Sequence, residues 1–269
     1  MKLQHILPCM LSACILFSCT KDEPTLDVTK NGQLKIKFDQ IVGGKKLILN
    51  ETTYTNNSEE QFIVSTAKYY VSNIVLTNNN GQSYTVPKSE SFFLINAANS
   101  ESLTPSVLVP EGQYTTLQFN LGIDSITNTL PVSERTGVLD VAGNDMYWSW
   151  NSGYIFFKLE GSSTSSTTAD QKFRYHIGLF GGYDTKTVNN NKTVVLDLSK
   201  AGTAIVQENL SSDIHLMVDL GKVFDGKNKI SIATNSTVMT SGPHQLIAEN
   251  YAQMFTHDHT HNYQKISNE

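Results

Sequence analysis

Residues 145–161 are Asp-Met-Tyr-Trp-Ser-Trp-Asn-Ser-Gly-Tyr-Ile-Phe-Phe-Lys-Leu-Glu-Gly, a stretch that contains both tryptophans of the protein. In an extended strand alternate side chains face opposite sides, so Met146, Trp148 and Trp150 share one face. Gly153 allows a kink or bulge before the strand resumes. Aromatic side chains this dense bury a large area, which predicts a central core strand. The competing interpretation is that one tryptophan belongs to a binding site.

The rest of the chain alternates short apolar segments with turn residues. In residues 172–180 every second residue is apolar, which is typical of a half-buried strand. Residues 125–144 contain proline and glycine without a clear period, and this predicts a long loop before the tryptophan strand. A helical pattern occurs only near the end, over residues 245–255. We therefore predict an all-β fold, an antiparallel β-sandwich with long loops and a short C-terminal helix.

The composition excludes several classes of protein. Charged residues make up 17% of the 269 residues, and the formal net charge is −5. A mildly acidic chain without basic runs is a poor partner for nucleic acid. The sequence lacks a glycine-rich phosphate loop, a Gly-x-Ser-x-Gly elbow and a His-Glu-x-x-His pair. We therefore expect a protein that is not an enzyme, with no catalytic residues assigned.

The start of the chain predicts export as a lipoprotein. Residues 1–18 comprise a short basic start and an apolar segment too short to span a membrane, and they end in Leu-Phe-Ser before Cys19. This pattern resembles a bacterial lipobox, with Cys19 as the lipidated residue. An ordinary signal peptide with an incidental cysteine is the alternative. The other two cysteines would leave with the leader, so the folded domain would contain no thiol.

The predicted domain organisation follows from these signals. Residues 19–32 form the lipidated cysteine and its tether, residues 33–256 form a single β-sandwich domain, and residues 257–269 form a polar tail that contains histidines. Residues 20–23, Thr-Lys-Asp-Glu, are similar to the signal that sends lipoproteins of Bacteroidetes to the cell surface. We expect lipid anchoring at the outer membrane, on its periplasmic face or at the cell surface.

Histidines are the obvious metal ligands in a domain without thiols. His176 and His215 each lie opposite the apolar residues of their strand, which places them on a more polar surface, although a lone strand histidine is usually structural. The sequence also contains an alternating cluster near its end, where histidines on an extended segment would point the same way. A polar tail with adventitious metal affinity is the competing interpretation of this cluster. The cluster comprises His257, His259 and His261.

The tryptophan stretch carries a family resemblance. The pattern Met-Tyr-Trp-x-Trp-x-x-Gly-Tyr, followed by a phenylalanine-rich strand and Glu-Gly, resembles the MbnP-like family over roughly residues 34–255. This family consists of secreted or lipid-anchored bacterial proteins named for a periplasmic partner of methanobactin, a copper-carrying peptide. His176 matches a Phe-x-x-His-x-Gly strand of the family, and His244 precedes a segment similar to the family's end.

The resemblance implies a copper site with an unusual ligand. In the family a tryptophan of the motif is oxidised to kynurenine by a partner di-haem peroxidase of the MbnH type, and the new aryl amine joins histidines to bind copper. An indole N–H only donates, whereas an aryl amine has a usable lone pair. The implied ligands here are Trp148 or Trp150, His176 and His244, with His215 as a weaker addition.

One position departs from the family pattern. Many members have Phe-x-His in the first strand, where this chain has Phe38, Asp39 and Gln40. We expect an exported, lipid-anchored protein that binds or handles copper. The alternative is a metal-free surface binding or adhesion module, in which the tryptophans lie in the core or contact a ligand such as a glycan.

Overall fold

Two β-sheets packed face to face form the body of the protein. The computed structural model describes residue 26 and residues 28–149 and 151–266. The predicted signal peptide, the lipidation site Cys19 and one candidate ligand, Trp150, lie outside these residues. In the described part of the chain, no helix combines the length and the apolar character that a membrane crossing requires.

The secondary structure is mainly extended. The strands are β1 (Asn31–Val42), β2 (Lys45–Lys46), β3 (Thr53–Thr55), β4 (Gln61–Asn78), β5 (Ser83–Thr85), β6 (Phe92–Asn96), β7 (Ser106–Pro110), β8 (Gly112–Leu121), β9 (Tyr147–Ser149), β10 (Gly153–Ser162), β11 (Lys172–Gly178), β12 (Lys192–Asp197), β13 (Ala204–Val206), β14 (Leu210–Asp219), β15 (Thr237–Val238) and β16 (Phe255–Lys265). The α-helices are α1 (Ser125–Asn128), α2 (Lys222–Asp225) and α3 (His244–Tyr251), and 3-10 turns cover Lys88–Glu90, Ser100–Leu103, Val132–Glu134 and Gly137–Leu139.

The strands form a small sheet and a large sheet. The small sheet has the order β16-β14-β1-β2, with β7 also pairing β1. The large sheet has the order β12-β8-β4-β10-β11-β15, and the shorter strands β3, β5, β6, β9 and β13 pair along it. Most pairs are antiparallel, but β1 pairs β14 in parallel, as does β11 with β15. The predicted sandwich is confirmed, with these two parallel exceptions.

The main core lies between the two sheets. Every second residue of β1 is buried, as its alternating sequence predicts. Phe38 of the small sheet packs edge-on against Tyr69 and Phe119 of the large sheet, with ring centroids 6.2 and 6.1 Å apart. Such edge-to-face contacts stabilise a core beyond the area that they bury.

A second core covers the outer face of the large sheet. Tyr70 and Tyr154 point to this side and pack edge-on, with ring centroids 5.6 Å apart. The predicted long loop, residues 125–144, folds over them, and the Tyr70 hydroxyl donates a hydrogen bond to the Val138 carbonyl oxygen at 2.9 Å. Because both of its faces are covered here, β10 is buried along almost its whole length.

The tryptophan stretch is a hairpin and not the single long strand that the sequence predicts. β9 pairs antiparallel with the start of β10, with Ser149 opposite Gly153. Gly153 has φ +74°, a left-handed conformation that favours glycine. A Cβ there would lie 2.2 Å from Oδ1 of Asn128, so this position also requires close approach. Gly153 therefore reverses the chain where the sequence predicts only a kink or bulge.

The end of the chain also differs from its prediction. Helix α3 begins at His244, one residue before the predicted segment, and ends at Tyr251. Strand β16 then runs through most of the predicted polar tail. Asn262 fixes this strand, because its Oδ1 accepts from the Ile205 amide at 2.8 Å and its Nδ2 donates to the Thr203 carbonyl at 2.9 Å. The folded domain thus extends to Lys265, beyond the boundary predicted at residue 256.

Candidate metal sites

Trp148 and His176 lie on the same outer face of the large sheet. A Cβ added at Gly178 would lie 2.9 Å from Cζ3 of Trp148, so the indole ring rests on the bare backbone there. Gly178 follows His176 by two positions on β11, and alternate residues of a strand share a face. The glycine of the Phe-x-x-His-x-Gly pattern thus makes room for the ring of Trp148.

The imidazole of His176 is held by a carboxylate. Its Nε2 lies 2.6 Å from Oε1 of Glu160 on the neighbouring strand. Burial lowers the pKa of His176, and the hydrogen bond to Glu160 opposes this shift. The ring therefore stays neutral near neutral pH and retains a nitrogen lone pair, and a carboxylate partner of this kind is common among metal-binding histidines.

A buried lysine ties the tryptophan hairpin to this face. Lys158 pairs with His176 across β10 and β11, and its side chain is 4% exposed. Its Nζ lies 2.7 Å from Oδ2 of Asp145, just before β9. The hydrogen bond from Lys158 lowers the pKa of Asp145. The ion pair thereby fixes the start of the segment that carries Trp148.

His244 does not join His176 in a described cluster of donors. It begins helix α3, where its Nδ1 lies 3.2 Å from Nδ2 of Asn190, and Asn190 in turn donates to the Gly178 carbonyl. His244 also lines a surface cavity of about 520 Å³ that includes Ser152 and Thr240. His176 and His244 thus have separate partners, Glu160 and Asn190.

Gln40, the departure from the family pattern, lies inside the sandwich. Its Nε2 donates to the Tyr69 hydroxyl at 2.7 Å. Tyr69 points into the main core, whereas the neighbouring Lys68 is on the outer face with His176, since strand residues alternate sides. A histidine at position 40 would therefore be separated from His176 by the large sheet.

Three other histidines converge on the outer face of the small sheet. One donor atom from each of His215, His259 and His261 lies within 4.8 Å of the other two, and among the residues that the structure describes no other three His, Cys, Asp or Glu side chains meet in this way. The ring centroids of His215 and His259 are 4.3 Å apart. Nε2 of His259 lies 3.1 Å from Nε2 of His261. We call these residues the histidine triad.

A β-bulge decides which terminal histidines enter the triad. His215 of β14 pairs with His259 of β16, but the next pair is Leu216 with His257. The extra residue at Asp258 turns His257 to the inner side, where Leu216 is buried. Alternation alone predicts that all three terminal histidines point the same way, and this prediction is wrong for His257.

The charged residues that surround these histidines are not predicted as part of a site by the sequence. Glu160, Asp145 and Lys158 lie near His176, and Asp258 contacts His259. The alternation of β10 and β11 would have placed Lys158 and Glu160 on the face of His176. No sequence pattern predicts that Asp258 lies beside His259, because the bulge at Asp258 depends on pairing with β14.

The fold and the sites define an all-β protein whose candidate metal ligands are nitrogen atoms. The sequence profile of the MbnP family matches residues 31–240, and the chain belongs to this family. The solved structure of MbnP from Methylosinus trichosporium has a similar fold, with a TM-score of 0.56 at 16% identity over 80% of this chain and 82% of that chain. A search of curated proteins finds no match. The family link supports a methanobactin-associated, copper-related role.

Proposed function

We infer that this chain is an exported, lipid-anchored protein of the outer membrane that binds and handles copper without catalysing a reaction. The observation that carries this proposal is the packing of Trp148 on Gly178, two positions from His176 on the same strand face. An indole beside a neutral imidazole is the arrangement in which oxidation of the indole would create a second nitrogen ligand.

The oxidation requires a partner, for which we propose a di-haem peroxidase of the MbnH type. Opening the indole cleaves its C2–C3 bond and adds an oxygen atom to each carbon, with two molecules of hydrogen peroxide reduced to water. Hydrolysis then releases C2 as formate and leaves kynurenine with a free aryl amine. Trp148 is partly accessible, whereas the neighbouring Met146 is buried, so the tryptophan can be reached by a protein partner.

The residues around Trp148 fit a copper ion. Glu160 engages Nε2 of His176, which leaves Nδ1 for a metal. A kynurenine amine at position 148 would supply the second nitrogen, and imidazole and amine nitrogens both suit copper. The replacement of the family's histidine by Gln40 does not remove a ligand from the site near Trp148, because position 40 lies on the opposite side of the large sheet. His244 would contribute a further ligand through Nε2, because Asn190 engages its Nδ1.

Co-expression with the peroxidase tests this proposal. Oxidation to kynurenine adds about 4 Da to the peptide that contains Trp148, since one oxygen replaces one carbon. The variants Trp148→Phe and Trp150→Phe, each co-expressed with the peroxidase, assign the modified residue. We expect oxidation to be lost in Trp148→Phe only. Copper is measured with His259→Ala added to every protein, so that copper held by the histidine triad is not counted. In this background copper retention should be lost both in Trp148→Phe and in His176→Ala, although the latter is still oxidised.

An unmodified peptide mass together with no retained copper would contradict the proposal. That result would favour the second candidate function, a metal-free surface binding or adhesion module. A cavity of about 520 Å³ between the 125–144 loop and β6, lined by Phe92, Leu130 and Val138, would then be the first place to look for a ligand.

A further inference from the structure

We propose that the histidine triad is a second metal site, which binds a divalent late transition ion, Cu²⁺ more tightly than Zn²⁺, without any tryptophan oxidation. The triad lies on the outer face of the small sheet, whereas Trp148 lies on the outer face of the large sheet. His259 and His261 also fall after residue 240, where the match to the MbnP family ends. The triad is therefore separate from Trp148, His176 and His244, and it takes His215, the weaker of the ligands that the resemblance implies, to the other sheet.

The strand pairing holds the three imidazoles close together before any metal binds. His215 and His259 are directly opposite each other in the β14–β16 ladder, and His261 follows two positions along the same strand. The ring centroids of His261 lie 5.1 Å from His215 and 4.6 Å from His259. Asn262 anchors β16 beside them through both its amide oxygen and its amide nitrogen. Little conformational entropy would be lost when a metal binds to groups held in this way.

The nitrogen positions suit one ion. Nitrogens bound to a tetrahedral metal at about 2.0–2.1 Å lie about 3.3 Å apart. Nε2 of His259 and Nε2 of His261 are already 3.1 Å apart and share one proton in a hydrogen bond. A metal at this point would bind both lone pairs once the bridging proton has moved to Nδ1 of the ring that donates it, so that both rings stay neutral.

A carboxylate orients one ring of the triad, and a second carboxylate lies near another ring. Oδ2 of Asp258 lies 2.8 Å from Nδ1 of His259, which leaves Nε2 of that ring for a metal. Oδ2 of Asp39 lies 3.7 Å from Nδ1 of His215. Carboxylates placed behind metal-binding histidines fix the tautomer and raise the basicity of the ring. Lys37 also faces this region, but Asp39 pairs with it at 3.1 Å and offsets its charge.

The choice of ion follows from the donors. Three imidazoles without a thiolate suit Cu²⁺ and Zn²⁺, and copper binds a given nitrogen site more tightly than zinc does. The side chain of His215 is 15% exposed and that of His259 is 41% exposed, so one side of the site is open to water or to a further ligand. Three protein ligands with an open position describe an accessible site and not a closed structural one.

Metal titration of the full chain, produced without the peroxidase partner, tests the proposal. Equilibrium dialysis of the metal-free protein against Cu²⁺ and then Zn²⁺ should give one bound ion per chain. His259→Ala and His215→Ala should each weaken binding by more than about 100-fold, and Asp258→Asn by about 10- to 100-fold. His257→Ala is the matched control, because His257 lies on the same strand but faces inward.

Thermal melting separates loss of the site from loss of the fold. We expect bound metal to raise the Tm of the wild type and of His257→Ala, and to leave that of His259→Ala unchanged. Equal melting of the metal-free proteins would show that all three fold. Retention of the ion by His259→Ala, or equal weakening in His257→Ala, would overturn the proposal. Because no peroxidase is present, either result is independent of whether Trp148 can be oxidised.

Discussion

His176 and His215 occupy similar positions, each on the outer face of one sheet, yet their surroundings differ in kind. His176 is 12% exposed and sits beside an indole, a glutamate and a buried lysine, next to a loop that covers a second core. His215 is 15% exposed, but its neighbours are two more histidines on an uncovered sheet face. The two histidines are thus similarly exposed. The surroundings of His176 depend on a segment that folds over the sheet, whereas those of His215 depend on strand pairing alone.

The two regions have different requirements for binding a metal. The Trp148 region offers a single imidazole until covalent chemistry adds a donor, and its geometry depends on the segment from Ser125 to Ser149 remaining in place. The histidine triad needs only the register between β14 and β16. Substitutions in the covering segment should therefore affect the fold strongly, whereas substitutions in the triad should affect metal binding and leave the fold almost unchanged.

The largest expected effect comes from the second core. Phe156 is fully buried there, so Phe156→Ala should lower the free energy of unfolding by about 3–5 kcal/mol through lost burial and a residual cavity. Val195→Ala, at a position 60% exposed in β12, is the control and should change it by less than about 0.5 kcal/mol. Urea denaturation measures both. A small effect of Phe156→Ala would mean that the outer layer contributes little to the fold.

A smaller loss is expected at the contact between Trp148 and β11. The Cβ of Gly178→Ala would lie 2.4 Å from the Tyr154 carbonyl oxygen and 2.9 Å from the indole, so about 1–3 kcal/mol of stability should be lost. Tryptophan fluorescence should shift as the ring is displaced. Gly112→Ala should be tolerated, because its nearest neighbour would be 3.5 Å away. An unchanged spectrum for Gly178→Ala would show that the indole does not rest on this backbone.

The smallest expected effect is on how the stability of the protein depends on pH through His215 of the histidine triad. Burial, and then the neighbouring His259, lower the pKa of His215 from 6.5, so the unfolded chain takes up a proton more readily than the folded protein. Stability should therefore fall as the pH drops through this value, and His215→Gln should reduce that fall by about 1 kcal/mol or less. Urea denaturation at pH 7.5 and pH 5.5 measures the difference. An identical pH dependence in the variant would assign the loss to other groups.

Local sequence patterns predict most of the sandwich. Strict alternation in β11 correctly places Phe173, Tyr175 and Ile177 in the core and His176 on the other face. The loop before the tryptophan hairpin is also correctly located. The hairpin itself is not predicted, because Gly153 is compatible with a kink, a bulge or a full reversal, and the choice depends on tertiary contacts such as that with Asn128.

The sites are predicted less completely than the fold, for a physical reason. The sequence identifies His215 and the terminal histidines as candidate ligands. Their assembly, however, depends on the pairing of β14 with β16, between which α2, β15 and α3 lie, and on the bulge in that pair. Periodicity within one strand carries no information about the register with its neighbour. The same limit applies to His244, whose contact with Asn190 depends on how helix α3 packs and has no signal in the local sequence.

The parallel pairing of β1 with β14 has a consequence for the order of assembly. The first strand of the domain cannot find its main neighbour until almost the whole chain has been synthesised, and β16 can join only after that. Contacts between such distant parts of a chain form slowly, because a large loop must close first. With the proposed export in an unfolded state, this delay would keep the small sheet open until the C-terminal strands had crossed the membrane.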